Sequence, residues 1–231
     1  MKTSLWSAAL ASEQLFSIQD FTVQLCCSEE SKSIAYSLRY KAYCHANPKL
    51  KDSVDYRVDD NYDAQANTRT HLVWHTGYPI ASVRSVVWSA KYQWENIEGI
   101  QLFKTDIDRH IRLGHNILES SRYVVDPNIN SRVSLTAQLL MFRVQDLSAQ
   151  VDQCPYIINV VRPKHVSFYQ RMLGFRKISD PIKHKLADGD VVLLYTTQTE
   201  SRDIVTTKGM PPCESGEVAQ YRDLLNQHLV P

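Results

Sequence analysis

Apolar and polar positions alternate over residues 16–25, the period-two signature of a half-buried strand. The period then lengthens. From Ser28 or Ser31, either of which can cap a helix, to about Asn47 the chain reads as helical, and Pro48 stops it. An acidic, glycine-free loop follows over residues 52–63. Residues 71–74 and 80–88 are rich in β-formers and joined by Thr76-Gly77-Tyr78-Pro79, which predicts a hairpin. Residues 118–125 predict the next strand, closed by Asp126-Pro127-Asn128. From about Val133 to Ala149, Leu135, Leu139, Phe142 and Leu147 fall at helical spacing. Residues 156–161 are apolar throughout, as in a strand buried on both faces. A helix over 164–173 stopped by Gly174, then strands near 175–178 and 191–196, complete the series.

This order predicts an α/β (α+β) domain: a mixed, mostly antiparallel sheet with helices on both faces. No repeat or linker divides the chain before about residue 200, so residues 1–199 form one domain. Residues 200–231 are polar and turn-rich and read as a C-terminal appendage with an amphipathic helix over 217–229.

Composition narrows the function by exclusion. At 231 residues and 43% hydrophobic content the chain can bury a core. Its 26 basic and 25 acidic side chains leave a net charge of +1, so no global field favours nucleic acid or a membrane surface. The five cysteines are odd in number and match no zinc or disulfide spacing, which suits reduced thiols. Residues 1–12 are too interrupted for a signal peptide, and no run approaches a transmembrane span. A cytoplasmic protein is expected.

The segment Leu118-Glu119-Ser120-Ser121-Arg122-Tyr123 resembles the Glu-x-Ser-Arg-aromatic signature of acyl-homoserine lactone synthases and of their relatives, the long-chain N-acyl amino acid synthases. Upstream, Arg39-x-x-x-Tyr43, Asp60-x-Tyr62-Asp63 and Arg84 follow in the order of those families. Downstream, Arg162-Pro163-Lys164-His165, with Phe168-Tyr169 and Leu173-Gly174-Phe175, is similar to the N-acyl amino acid synthase branch. The chain has Tyr43 where phenylalanine is usual, and it lacks the tryptophan that lactone synthases carry soon afterwards. The resemblance covers roughly residues 30–180 and implies a GNAT-like fold, with acyl transfer from an acyl carrier protein.

Aminolysis of a thioester needs a base, a polarised carbonyl and a leaving thiol. The resemblance makes Glu119 the base, in a catalytic set with Ser121 and Arg122. Strict alternation would put Glu119 and Arg122 on opposite faces, so one site can hold both only if the strand bulges. GNAT enzymes have such a bulge, and a backbone N–H from Tyr123, Val124 or Val125 is the expected oxyanion donor. Arg39, Tyr43, Asp60, Asp63 and Arg84 are expected to form the acceptor-binding and supporting network with Arg122.

No tightly bound cofactor and no metal are expected; a phosphopantetheine-linked acyl group is the donor substrate. The loop 128–136 lacks the glycine with which GNAT enzymes cradle a coenzyme A pyrophosphate. Basic residues concentrate over 162–185, where Arg162, Lys164, Arg171, Arg176 and Lys177 suit docking of an acidic carrier protein, with Lys183 and Lys185 adding to the patch. The expected acceptor is the α-amino group of a small amino acid, its carboxylate held by Arg84 or Arg122; the alternatives are a lactone-forming autoinducer synthase that uses S-adenosylmethionine and a non-catalytic GNAT-like domain that binds a partner. His71 and His75 are spaced i, i+4 on a strand, which does not favour zinc. Trp74, Trp88, Tyr92 and Trp94 are core or rim aromatics, some of which line an acyl tunnel on this reading.

Overall fold

A computed structural model describes residues 12–48, 56–89, 97–111, 114–184 and 189–228. The start of the acidic loop at Asp52, the aromatics Tyr92 and Trp94, Lys185, and the N-terminal segment 1–11 lie outside the described residues.

In chain order the elements are β1 (Gln14–Ile18), β2 (Phe21–Leu25), α1 (Glu29–Ala46), β3 (Thr68–His75), β4 (Tyr78–Trp88), α2 (Glu98–His110), β5 (Ile117–Val125), α3 (Ser131–Val151), β6 (Tyr156–Val161), α4 (Val166–Leu173), β7 (Arg176–Lys177), β8 (Ile182–His184), β9 (Gly189–Thr197), α5 (Gln198–Thr207) and α6 (Ser215–His228). The strand expected over 16–25 is in fact a hairpin: Gln19 turns at φ 53° and Ile18 pairs with Phe21. Alternation persists through both arms, so periodicity alone does not reveal the turn. Thr76 and Gly77, both at positive φ, make the two-residue β3–β4 turn, and Tyr78 and Pro79 already belong to β4.

Among the described residues nine strands form one sheet, ordered β1-β2-β3-β4-β5-β6-β9-β7 with β8 on β9. Every pairing is antiparallel except β5 with β6. Helices α1 and α2 cover one face, and α3, α5 and α6 the other. This is the mixed, mostly antiparallel GNAT-like architecture. Ser28 caps α1 by accepting the Ser31 N–H, Asn130 caps α3 through the Val133 N–H, and Gly174 at φ 68° ends α4.

Residues 198–228 run back across the sheet. Val205, Met210, Tyr221, Leu224 and Leu225 belong to the same apolar cluster as Val83, Leu118 and Leu140. The Tyr221 hydroxyl lies 2.7 Å from His71 Nε2 and 2.9 Å from Ser148 Oγ, tying α6 to β3 and α3. Burial, then the Arg69 charge, holds the His71 pKa down at about 3, so the ring is neutral. Tyr221→Phe removes the shared oxygen and leaves two buried polar groups short of a partner. It should lower unfolding stability by about 1–3 kcal/mol in urea denaturation, with a single transition retained. An unchanged midpoint would mean that α6 unfolds independently of the sheet.

Candidate active site

β5 and β4 fall out of step midway. Arg84 pairs with Ser121, but two residues earlier on β4 Ser82 pairs with Val124, three residues further along β5. β5 therefore carries one extra residue, and Arg122 absorbs it at φ 52°, in the left-handed region. Glu119 and Ser121 precede the bulge on the face covered by α1 and α2. The bulge turns Arg122 to that face, where Asp60 and Tyr43 receive it, and Val124 packs under α1. Tyr123 points the other way and stacks on Phe142 of α3, 5.2 Å between ring centroids.

The same distortion opens a seam. β5 pairs with β6 only from Ile117–Tyr156 to Ser120–Asn159, while β6 continues to Val161 against β9. Tyr123, Val124 and Val125 border the opened part. Across it stands Tyr169 of α4, hydrogen-bonded to Asn159.

On the α1–α2 face a charge network joins three arginines to two aspartates. Arg39 Nη1 donates to both Asp63 oxygens at 2.9 Å, and Arg39 Nη2 to Thr70 Oγ1 at 3.3 Å. Arg84 Nη1 lies 2.5 Å from Asp60 Oδ1 and 3.2 Å from Asp63 Oδ2, and its Nε donates to Ser121 Oγ at 3.0 Å. Arg122 donates to Asp60 Oδ2 through Nε at 3.1 Å and also through Nη2. Backbone N–H groups of Asp60 and Tyr62 close the loop on these carboxylates, and Tyr62 lies over the Arg84 guanidinium at 5.5 Å. Arg39 and Arg84 are fully buried, so these contacts replace their hydration.

Glu119 lies beside this network and is 1% exposed. Burial pushes its pKa up to about 7 against the Gly99 N–H, with Glu98 adding to the rise and Arg84 and Arg122 opposing it. The Gly99 N–H donates to Oε2 at 2.7 Å, so the carboxyl takes up an amide at the first turn of α2, where Ile97 provides no side-chain cap. A Cβ on residue 99 would sit 2.7 Å from that oxygen, so any side chain there would displace the Glu119 carboxyl from the N–H. Sequence reading singled out neither Gly99, Thr70, Asn159 nor α2 itself. The spacing of Ile100, Phe103 and Ile107 carried a helical signal, but the helix kinks at Phe103.

The remaining expected residues lie elsewhere. Arg162, Lys164, Arg171, Arg176 and Lys177 are exposed around α4, and Arg176 is paired with Glu200. His75 packs on Phe21, and Trp74 is core, donating to Gln24 at 2.7 Å. Burial pushes the Cys27 thiol up to about 12, which leaves it a poor nucleophile. A separate groove of about 830 Å³ between α1 and the β3–β4 turn is lined by Ile34, Leu38, Lys41, Ile80 and Ile129.

Burial alone would raise the Asp60 pKa, but Arg84 and Arg122 hold it at about 2. A pKa lowered on folding stabilises above the ordinary value of 3.8 and loses that contribution as pH falls towards 2. Asp60→Asn should therefore cost about 2 kcal/mol at neutral pH, and the gap to the unaltered protein should close as pH drops below about 3. Denaturation midpoints across pH measure this; a gap independent of pH would contradict it.

Residues 34–197, well over half of the chain, match the family model of N-acyl amino acid synthase FeeM. No curated protein matches the chain significantly by sequence. Among solved structures, FeeM, an N-acyl amino acid synthase from uncultured soil microbes, superposes with a TM-score of 0.62 at 12% identity, covering 83% of this chain and 98% of its own. The acyl-homoserine lactone synthase LasI gives 0.59 at 13%, covering 84% and 98%. The coenzyme A-dependent lactone synthase BjaI gives 0.58 at 13%, covering 86% and 92%. At such identities these likenesses speak to the fold; the family match goes further, and by it the chain belongs to the FeeM family of N-acyl amino acid synthases.

Proposed function

We propose that this acyltransferase moves a fatty acyl group from an acyl carrier protein thioester to the α-amino group of a free amino acid. The observation that carries the reading is Glu119: a buried carboxyl with a pKa near 7, on the same face as Arg122 and next to the opened seam. A base poised near neutrality suits removal of a proton from an ammonium group.

Within the network three arginines face two aspartates, which leaves one positive charge for a substrate carboxylate. Arg84 is buried and engaged by Asp60, Asp63 and Ser121, so the carboxylate falls to Arg122, whose side chain is 23% exposed. Glu119 takes one ammonium proton, and the amine attacks the thioester carbonyl. A backbone N–H from Tyr123 to Val125 receives the developing oxyanion. Collapse forms the amide and releases the phosphopantetheine thiol, which carries away a second amine proton.

Two features favour a carrier protein over coenzyme A. N–H groups where a diphosphate would rest are already occupied: Asn130 accepts from Val133, and Asp126 from Asn128. The exposed cations Lys164, Arg171 and Lys177 surround α4, which also bears Tyr169 at the seam. An acidic partner docked there would feed its prosthetic arm inward.

The purified protein, given palmitoyl-charged acyl carrier protein and each acceptor separately, should release thiol with an amino acid. Release only with S-adenosylmethionine would establish a lactone synthase instead, and equal rates with palmitoyl-coenzyme A would remove the carrier preference. Charge reversal at Arg171 and Lys177 should raise the KM for the carrier protein about tenfold or more.

Glu119→Gln should cost about 100-fold or more in turnover. The same variant should be more stable than the parent at pH 8, because a carboxyl whose pKa rises on folding from 4.5 to about 7 costs the fold stability progressively as pH climbs between those values, and the full cost is present above about 7. Loss of stability together with loss of activity would point to a structural role.

A further inference from the structure

A buried base that takes a proton at each turnover must also discharge it. The arginine network offers no exit, since its guanidiniums are already protonated and Asp60, at about 2, takes up no proton near neutrality. Tyr62 covers Arg84 and is itself pushed up by burial, then by Glu98, Glu119 and Asp60.

The other flank differs. The Gly99 N–H, fixed on Glu119 Oε2 at 2.7 Å, presses the start of α2 against the base. The preceding residue is Glu98, whose charge adds to the rise of the Glu119 pKa. Glu98 Oε1 lies 2.9 Å from His184 Nε2 on β8, a strand paired only at its β9 side among the described residues. Side-chain exposure is 17% at Glu98 and 14% at His184, so both reach water from a base that is 1% exposed.

We propose that Glu98 and His184 are the proton exit of the site. The proton on Glu119 passes to Glu98, directly or through one water, then to Nε2 of the His184 ring in the tautomer that carries its hydrogen on Nδ1, and the ring releases the Nδ1 proton to bulk water. Glu119 is restored as a carboxylate, and no redox partner is consumed. The proposal rests on Glu119 acting as the base, with Glu98, Tyr62, Arg84 and Arg122 as the charged or titratable groups around it.

The test uses the full chain with palmitoyl-charged acyl carrier protein and a mixture of the protein amino acids, reading N-acyl amino acids by mass spectrometry. His184→Ala and Glu98→Gln should each lower kcat about tenfold while the KM for donor and acceptor stays within about twofold. Added imidazole buffer should restore the His184→Ala rate and leave the unaltered protein unaffected. His184→Gln, which can keep a hydrogen bond to Glu98 but carries no proton, should be as slow as His184→Ala. Full activity in His184→Gln, or a loss that imidazole does not repair, would overturn the exit while leaving the Glu119 reading intact. Activity retained in Glu119→Gln would instead overturn the base and the exit together.

Discussion

Between Ser121 and Val124, β5 holds one residue more than β4 can pair, and the chain absorbs it by turning Arg122 to φ 52°. Left-handed backbone is costly for a side-chain-bearing residue and persists only where surrounding contacts outweigh the strain. Here the contacts are the Asp60 carboxylate and the Tyr43 hydroxyl. From this one insertion follow the two conditions for the site. Arg122 joins Glu119 on one face, and the pairing of β5 with β6 stops at Ser120, beyond which β5 pairs with β4 alone.

The arginine–aspartate network secures that distortion. Three arginines, two of them fully buried, would be expensive in an ordinary core, and apolar residues would stabilise as well or better. Their arrangement is specific: each aspartate bridges two arginines, and the loop backbone closes on both carboxylates. The result is a rigid wall with an excess positive charge beside a carboxyl that burial keeps near neutrality. Membership of the FeeM family supports an N-acyltransferase, and the proposed transfer to an amine that bears a carboxylate assigns this charge arrangement its part in that chemistry.

Much of the fold was legible because its signals are local. Ser28 and Pro48 bracket α1, the run 156–161 marks β6, and Gly174 ends α4. Arg84 stood out as a charge inside an apolar strand, a position that demands a partner. Features that depend on tertiary context were less visible. The β1–β2 turn keeps its alternation through Gln19 and Asp20, and α2 replaces a side-chain cap with a carboxyl from β5, leaving no local start signal. α5 was different: Thr197-Gln198-Thr199-Glu200 spells a capping box that was there to be read. Gly99 could not be singled out in advance, because what excludes a side chain there is an oxygen twenty positions away in sequence.

The account turns on Glu119 being a carboxyl that ionises near neutrality and must be ionised to work. Its most direct measurement is the pH dependence of kcat/KM for the acceptor, which reports the carboxyl before the acceptor binds. It should fall tenfold per unit on the acid side, with a midpoint at about 7 set by burial of that carboxyl. A value that stays flat from about pH 8 down to about pH 5, as for a carboxyl near its ordinary value of 4.5, would contradict the account.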